Sequence, residues 1–103
     1  MLQIKYGAKA KGMQSEILLA IIVANSVYGY YGYPCVITSI NDGKHITSSL
    51  HYTGNAIDLR TRNLPSKDVI QLVYTKLAEM LGPDYDVVLE KDHIHVEFDP
   101  KNA

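Results

Sequence analysis

Apolar positions recur at i, i+3 and i+4 from Ser15 onward: Ile17, Leu18, Ile21, Ile22, Val27 and Tyr28, with Ala24 between them. That spacing predicts an amphipathic helix. Ser15 suits its N-cap, and Glu16 places a carboxylate in the first turn, where the helix dipole favours it. Gly29 and Gly32 end the segment and Pro34 prevents its resumption. The short apolar run Cys35-Val36-Ile37-Thr38-Ser39-Ile40 then reads as a buried strand, closed by the turn-forming Asn41-Asp42-Gly43. Ala56-Ile57-Asp58-Leu59-Arg60 alternates with period two, as a half-buried strand does. A second helix fits Ser66 to Leu81, with Ser66 as N-cap behind Pro65. Its apolar stripe is Val69, Ile70, Leu72, Val73, Leu77, Met80 and Leu81, and Gly82-Pro83 closes it. Two further strands, Tyr85 to Glu90 and His93 to Phe98, are joined by the two residues Lys91-Asp92. The order helix, strand, strand, helix, strand, strand predicts an α+β fold, a small antiparallel sheet with helices packed on one face.

Alternation sorts these strands into faces. Ile57 and Leu59 point one way; Ala56, Asp58 and Arg60 point the other. Ile94, Val96 and Phe98 share an apolar face, and His93, His95 and Glu97 share a polar one. With the turn at Lys91-Asp92, Glu90 stands opposite His93, and directly opposed residues project from the same face. The polar face therefore gathers Asp58, Glu90, His93 and His95, with His51 just upstream. Histidine and aspartate together suit zinc, and three protein ligands with one open position characterise a catalytic zinc site. A lone His-x-His on a strand is otherwise an ordinary surface pattern, so the force of the observation lies in the joint occurrence.

Composition narrows the field. At 103 residues the chain has the length of a single domain, 1–103, in which residues 1–12, with Lys5, Lys9, Lys11 and two glycines, read as a loosely held arm. Ten Lys plus Arg against eleven Asp plus Glu leave a net charge of −1, which speaks against a general nucleic-acid binder. The single cysteine, Cys35, excludes an internal disulfide framework and a multi-cysteine zinc site. The apolar stretch Ile17 to Val23 is far short of the roughly 20 residues of a membrane span. No signal segment is evident, so cytoplasmic synthesis and a monomeric, soluble protein are expected.

Two segments resemble a known family. Ser49-Leu50-His51-Tyr52-Thr53-Gly54-Asn55-Ala56-Ile57-Asp58 is similar to the S-x-H-x-x-G-x-A-x-D signature of zinc D-Ala-D-Ala carboxypeptidases and dipeptidases of the VanY type, with all five fixed positions matched. Asp92-His93-Ile94-His95 resembles their second motif, an acidic residue shortly before an H-x-H strand. Phage L-alanyl-D-glutamate endolysins share both motifs, as does the hedgehog signalling domain. The motifs and their flanking elements span roughly residues 14–100.

The resemblance implies a hedgehog/DD-peptidase fold in which zinc is held by His51, Asp58 and His95. Gly54 would let the chain turn so that residues seven apart converge on one ion, and Gly54 and Ala56 are small where backbone and metal lie close. Ser49 supports the site or touches substrate, or else is a turn serine. In the peptidases a carboxylate three residues before the ligand histidine activates the metal's water, a register that selects Asp92. In hedgehog-type relatives it stands further upstream, which selects Glu90. His93 either stabilises the transition state as an imidazolium or orients a neighbouring carboxylate. The implied activity is that of a zinc metallopeptidase cutting peptidoglycan stem peptides, as a D,D-carboxypeptidase or an L-alanyl-D-glutamate endopeptidase, acting on the cell wall if a phage lysis system releases it. A hedgehog-like zinc-binding module without turnover is the other reading.

One departure favours that second reading. The peptidases place an oxyanion-stabilising arginine upstream of the first motif, whereas the only arginines here are Arg60 and Arg62. Lys44 or His45 could substitute, or be solvated loop residues. Arg60 and Arg62 flank the site strand, where they could clamp a substrate carboxylate bidentately.

Overall fold

A computed structural model describes residues 1–5, 15–41 and 56–100. Its elements run β1 (Leu2–Ile4), α1 (Ser15–Tyr30), β2 (Cys35–Asn41), β3 (Ala56–Arg60), α2 (Lys67–Leu81), β4 (Tyr85–Leu89) and β5 (His93–Phe98). The strands form one five-stranded sheet in the order β1-β2-β3-β5-β4. The α+β class follows, with one correction: the sheet is mixed. β1 pairs parallel to β2, with Leu2 beside Cys35 and Ile4 beside Ile37, while every other pairing is antiparallel. Residues 2–4, expected within a loose arm, are an edge strand held mainly by backbone bonds: Cys35 N–H donates to Met1 O at 2.8 Å and Lys5 N–H to Ile37 O at 2.9 Å. All three residues of β1 are exposed, so its brief Leu2-Gln3-Ile4 alternation marks no buried face. Parallel neighbours require a crossover, and α1 lies between β1 and β2 in the chain.

Period-two alternation decides which side of the sheet is covered. Cys35, Ile37, Ile57, Leu59, Ile94 and Val96 are buried in one cluster with Ile17, Ala20, Ile21, Ala24, Val27 and Tyr28 of α1 and Val73 and Leu77 of α2. Phe98 packs against this cluster only partly buried, its ring 5.2 Å from that of Tyr85. In α1 the inward face matches the expected one at Ile17, Ile21, Ala24, Val27 and Tyr28 and departs from it at two positions. Leu18 and Ile22 are 48% and 63% exposed, and the small Ala20 joins the core-facing residues. The helix is apolar on nearly all sides, so periodicity alone does not exclude Leu18 and Ile22. Close approach to the sheet does, and small side chains permit it. The same holds for Leu72 and Met80 of α2, both exposed.

The helix ends follow local chemistry. α1 runs one residue past Gly29 and stops in a Schellman arrangement, with Tyr33 N–H donating to Tyr28 O and Gly32 N–H to Gly29 O, both at 3.0 Å. Gly32 carries the positive φ of 89° that this ending needs. At α2, the Ser66 hydroxyl accepts from Val69 N–H at 3.2 Å, the expected N-cap. Gly82, at φ 81°, closes the helix with its N–H on Ala78 O. No helix among the described residues is long and apolar enough to cross a membrane.

Candidate functional site

The site lies on the face of the sheet opposite the helices, where β3 and β5 run antiparallel in one register. Asp58 stands opposite His95, Arg60 opposite His93, and Ala56 opposite Glu97. Directly opposed residues project together, so this register makes a polar strip of side chains that the sequence separates by about 35 positions. Ala56 is buried and small at one end of it.

Asp58 is the hub. Its Oδ1 lies 2.8 Å from His95 Nδ1 and 3.7 Å from His93 Nε2. The other nitrogen of His95, Nε2, lies 3.3 Å from Glu97 Oε1. A ring with a carboxylate at each nitrogen donates to both only when doubly protonated. The electrostatics agree. Burial opposes charge on His95, but the hydrogen bonds to Asp58 and Glu97, with their charges, prevail and raise its pKa above the ordinary 6.5. His93 Nδ1 lies 2.7 Å from Asp92 Oδ1, and that hydrogen bond holds the exposed Asp92 carboxyl below its usual range. The arrangement reads Asp92, His93, Asp58, His95, Glu97, each in reach of the next. Asp58, His93 and His95 are half-buried, their side chains 27, 29 and 31% exposed.

Backbone bonds brace the strip. Tyr28 of α1 donates its hydroxyl to Arg60 O at 2.8 Å, tying the end of β3 to the core helix. Thr61 N–H donates to Asp92 O at 3.4 Å, and Glu90 N–H to His93 O at 2.8 Å, closing the two-residue connection expected at Lys91-Asp92. The Thr38 hydroxyl donates to Asp58 O at 3.4 Å from a register shift between Ile37 and Ser39.

Of the residues expected at the site, Asp58, His93, His95, Asp92 and Arg60 lie on one face. His51 and Ser49 fall outside the described residues, as do Lys44, His45 and Gly54. The two candidate bases part company. Asp92 contacts His93, and both line a pocket with Arg60 and Arg62. Glu90, although its backbone pairs with His93, lines a different pocket with Thr61, Lys67 and Ile70, on the α2 side. Two residues enter that had no assigned role: Glu97, which alternation already places on the polar face, and Lys5, for which the sequence offers no signal.

Among the described residues no group of three or more His, Cys, Asp or Glu is arranged to hold a metal ion. The two expected ligands that are described do fit one chemically. A carboxylate oxygen and an imidazole nitrogen are both zinc donors, and Asp58 Oδ1 and His95 Nδ1 lie 2.8 Å apart. Glu97 on Nε2 supplies the outer carboxylate that commonly orients a ligating histidine. No family model, no curated protein and no solved structure matches the chain.

Proposed function

We propose that this protein is a zinc-dependent peptidase of the hedgehog/DD-peptidase fold that cleaves peptidoglycan stem peptides. The observation that carries the reading is the direct pairing of Asp58 with His95 across β3 and β5, with Oδ1 and Nδ1 at 2.8 Å. It unites the last residue of the first motif with the last of the second. Asp58, His95 and His51 would hold the metal. Bound there, zinc would act as a Lewis acid, polarising the scissile carbonyl and acidifying a water molecule.

The chain's own groups handle the proton. Asp92 Oδ1 accepts from His93 Nδ1–H, which fixes the tautomer and turns the Nε2 lone pair toward the Asp58 hub. His93 Nε2 takes a proton from the attacking water and returns it to the leaving amine, and Asp92 stabilises the imidazolium in between. Glu97 holds the His95 ring through Nε2. Glu90 takes no part in this reading, because it lines the pocket beside α2 and not the one lined by Asp92 and His93.

Digestion of purified peptidoglycan with and without a chelator, followed by chromatography of the released stems, tests the reading. Chelator-sensitive cleavage is expected. Asp92→Asn and His93→Gln should each lower turnover by about 10²–10⁴-fold without loss of zinc, and Glu90→Gln should be mild. Tight zinc binding with no cleavage of any stem would replace the peptidase with the hedgehog-like binding module. A severe Glu90→Gln defect beside a mild Asp92→Asn would make Glu90 the base in place of the His93–Asp92 pair.

A further inference from the structure

Two residues along β3 from Asp58, the same face opens into a pocket of 290 Å³ lined by Lys5, Thr38, Arg60, Arg62, Asp92 and His93. Its cations come from separate parts of the chain. Lys5 follows β1 and is brought in by the parallel pairing, its N–H on Ile37 O at 2.9 Å. Arg60 closes β3 and shares the face of its register partner His93. Arg62 lies just beyond the strand. Among the described residues no carboxylate forms an ion pair with any of the three. Asp92, the one carboxylate among the described lining residues, is engaged by His93 Nδ1 at 2.7 Å. Like charges gathered around one concavity repel, and an anion held between them relieves that repulsion. Two guanidinium groups offer the planar, forked donors that match a carboxylate.

We infer that this pocket binds a carboxylate of the ligand, gripped by Arg60 and Arg62 with Lys5 adding charge, and selects substrates with a free carboxylate close to the cleaved bond. Arg60 and Asp58 are two residues apart on one strand, about 7 Å, which an extended peptide spans in about two residues. A carboxylate in the pocket therefore lies within one or two residues of a bond held at Asp58 and His95. The inference rests on the peptidase reading for the identity of that bond. The anion pocket itself does not depend on turnover.

The test is binding of the stem pentapeptide L-alanyl-γ-D-glutamyl-L-lysyl-D-alanyl-D-alanine to the chelator-treated protein, measured by calorimetry. Its counterpart with both carboxylates amidated, and the two singly amidated peptides, complete the set. The free acid should bind about 10-fold or more tightly than the diamide, and Arg62→Gln and Lys5→Gln should each erode that preference while leaving diamide binding unchanged. Both residues are exposed, so these variants fold. Whichever singly amidated peptide binds like the diamide identifies the carboxylate that is held. Equal binding of free acid and diamide, or variants that weaken both alike, would overturn the pocket's assignment. The two readings fail separately. Preference for the free acid without cleavage under zinc removes the peptidase and keeps the pocket. Cleavage of the diamide as fast as the free acid keeps the peptidase and removes the pocket.

Discussion

Asp58 meets two histidines with one oxygen, and what surrounds those histidines decides what they can do. Both of their outer nitrogens face carboxylates, Asp92 for His93 and Glu97 for His95. The placement of Asp58, His93 and His95 on one face was legible in the sequence, because strand alternation has a period of two and a two-residue turn leaves little freedom in register. The role of Glu97 was not. Alternation puts it on the right face, but whether it meets His95 depends on the rotamer of a long side chain. Outer carboxylates of this kind typically account for 10–100-fold in metal affinity. Glu97→Ala should therefore weaken zinc binding by about that factor in competition with a chromogenic chelator, and Glu97→Gln, which keeps an acceptor oxygen, should recover part of it. Equal affinity in all three proteins would mean that the 3.3 Å contact does not orient the ring.

Among the elements, those set by local chemistry match their expected bounds closely, and those set by distant contacts do not. α2 begins where Ser66 predicts, because an N-cap needs only a hydroxyl three residues before a free N–H. The β4–β5 hairpin is equally local. β1 is not: three exposed residues pair with a strand on the far side of α1, and the apolar–polar alternation of Leu2, Gln3 and Ile4 is too short to declare it. Nor does the apolar wrap of α1 show that Ala20 faces the sheet while Leu18 and Ile22 are exposed. The cap gives the element-scale prediction. Ser66→Ala removes the acceptor for Val69 N–H and should lower stability by about 1 kcal/mol, measured by urea denaturation. Ser66→Asp, which preserves an acceptor and adds a negative charge at the helix N-terminus, should recover or exceed the original value. A neutral Ser66→Ala would show that the first turn of α2 is held by its core contacts alone.

For the whole molecule, the decisive feature is that the two faces of the sheet have opposite character, a dry side against the helices and a charged side carrying the site. The dry side encloses two groups that titrate at alkaline pH, Tyr28 and Cys35, both fully buried. Burial pushes the Cys35 thiol from its ordinary 9.0 up to about 12. Burial, followed by the neighbouring Cys35, raises the Tyr28 phenol well above its ordinary 10.0. Each group is neutral when protonated, so a raised pKa in the folded state means that the unfolded chain gives up the proton first. The stability tied to these protons is therefore complete below about pH 9, where the unfolded thiol still holds its proton. It is lost as pH climbs from there toward the folded values, by as much as about 1.4 kcal/mol per pH unit for each titrating group. Urea melts at pH 7, 8.5 and 10 should show a plateau followed by a fall, and Cys35→Ala should flatten the fall even though the cavity it leaves lowers the plateau. The same burial keeps the thiol protonated and enclosed at neutral pH, so Cys35 should react with a thiol reagent only as fast as the protein unfolds. Stability that stays level to pH 10, together with rapid labelling of the native protein at pH 7, would place Cys35 outside the core, and the packing of β2 against α1 would have to be redrawn.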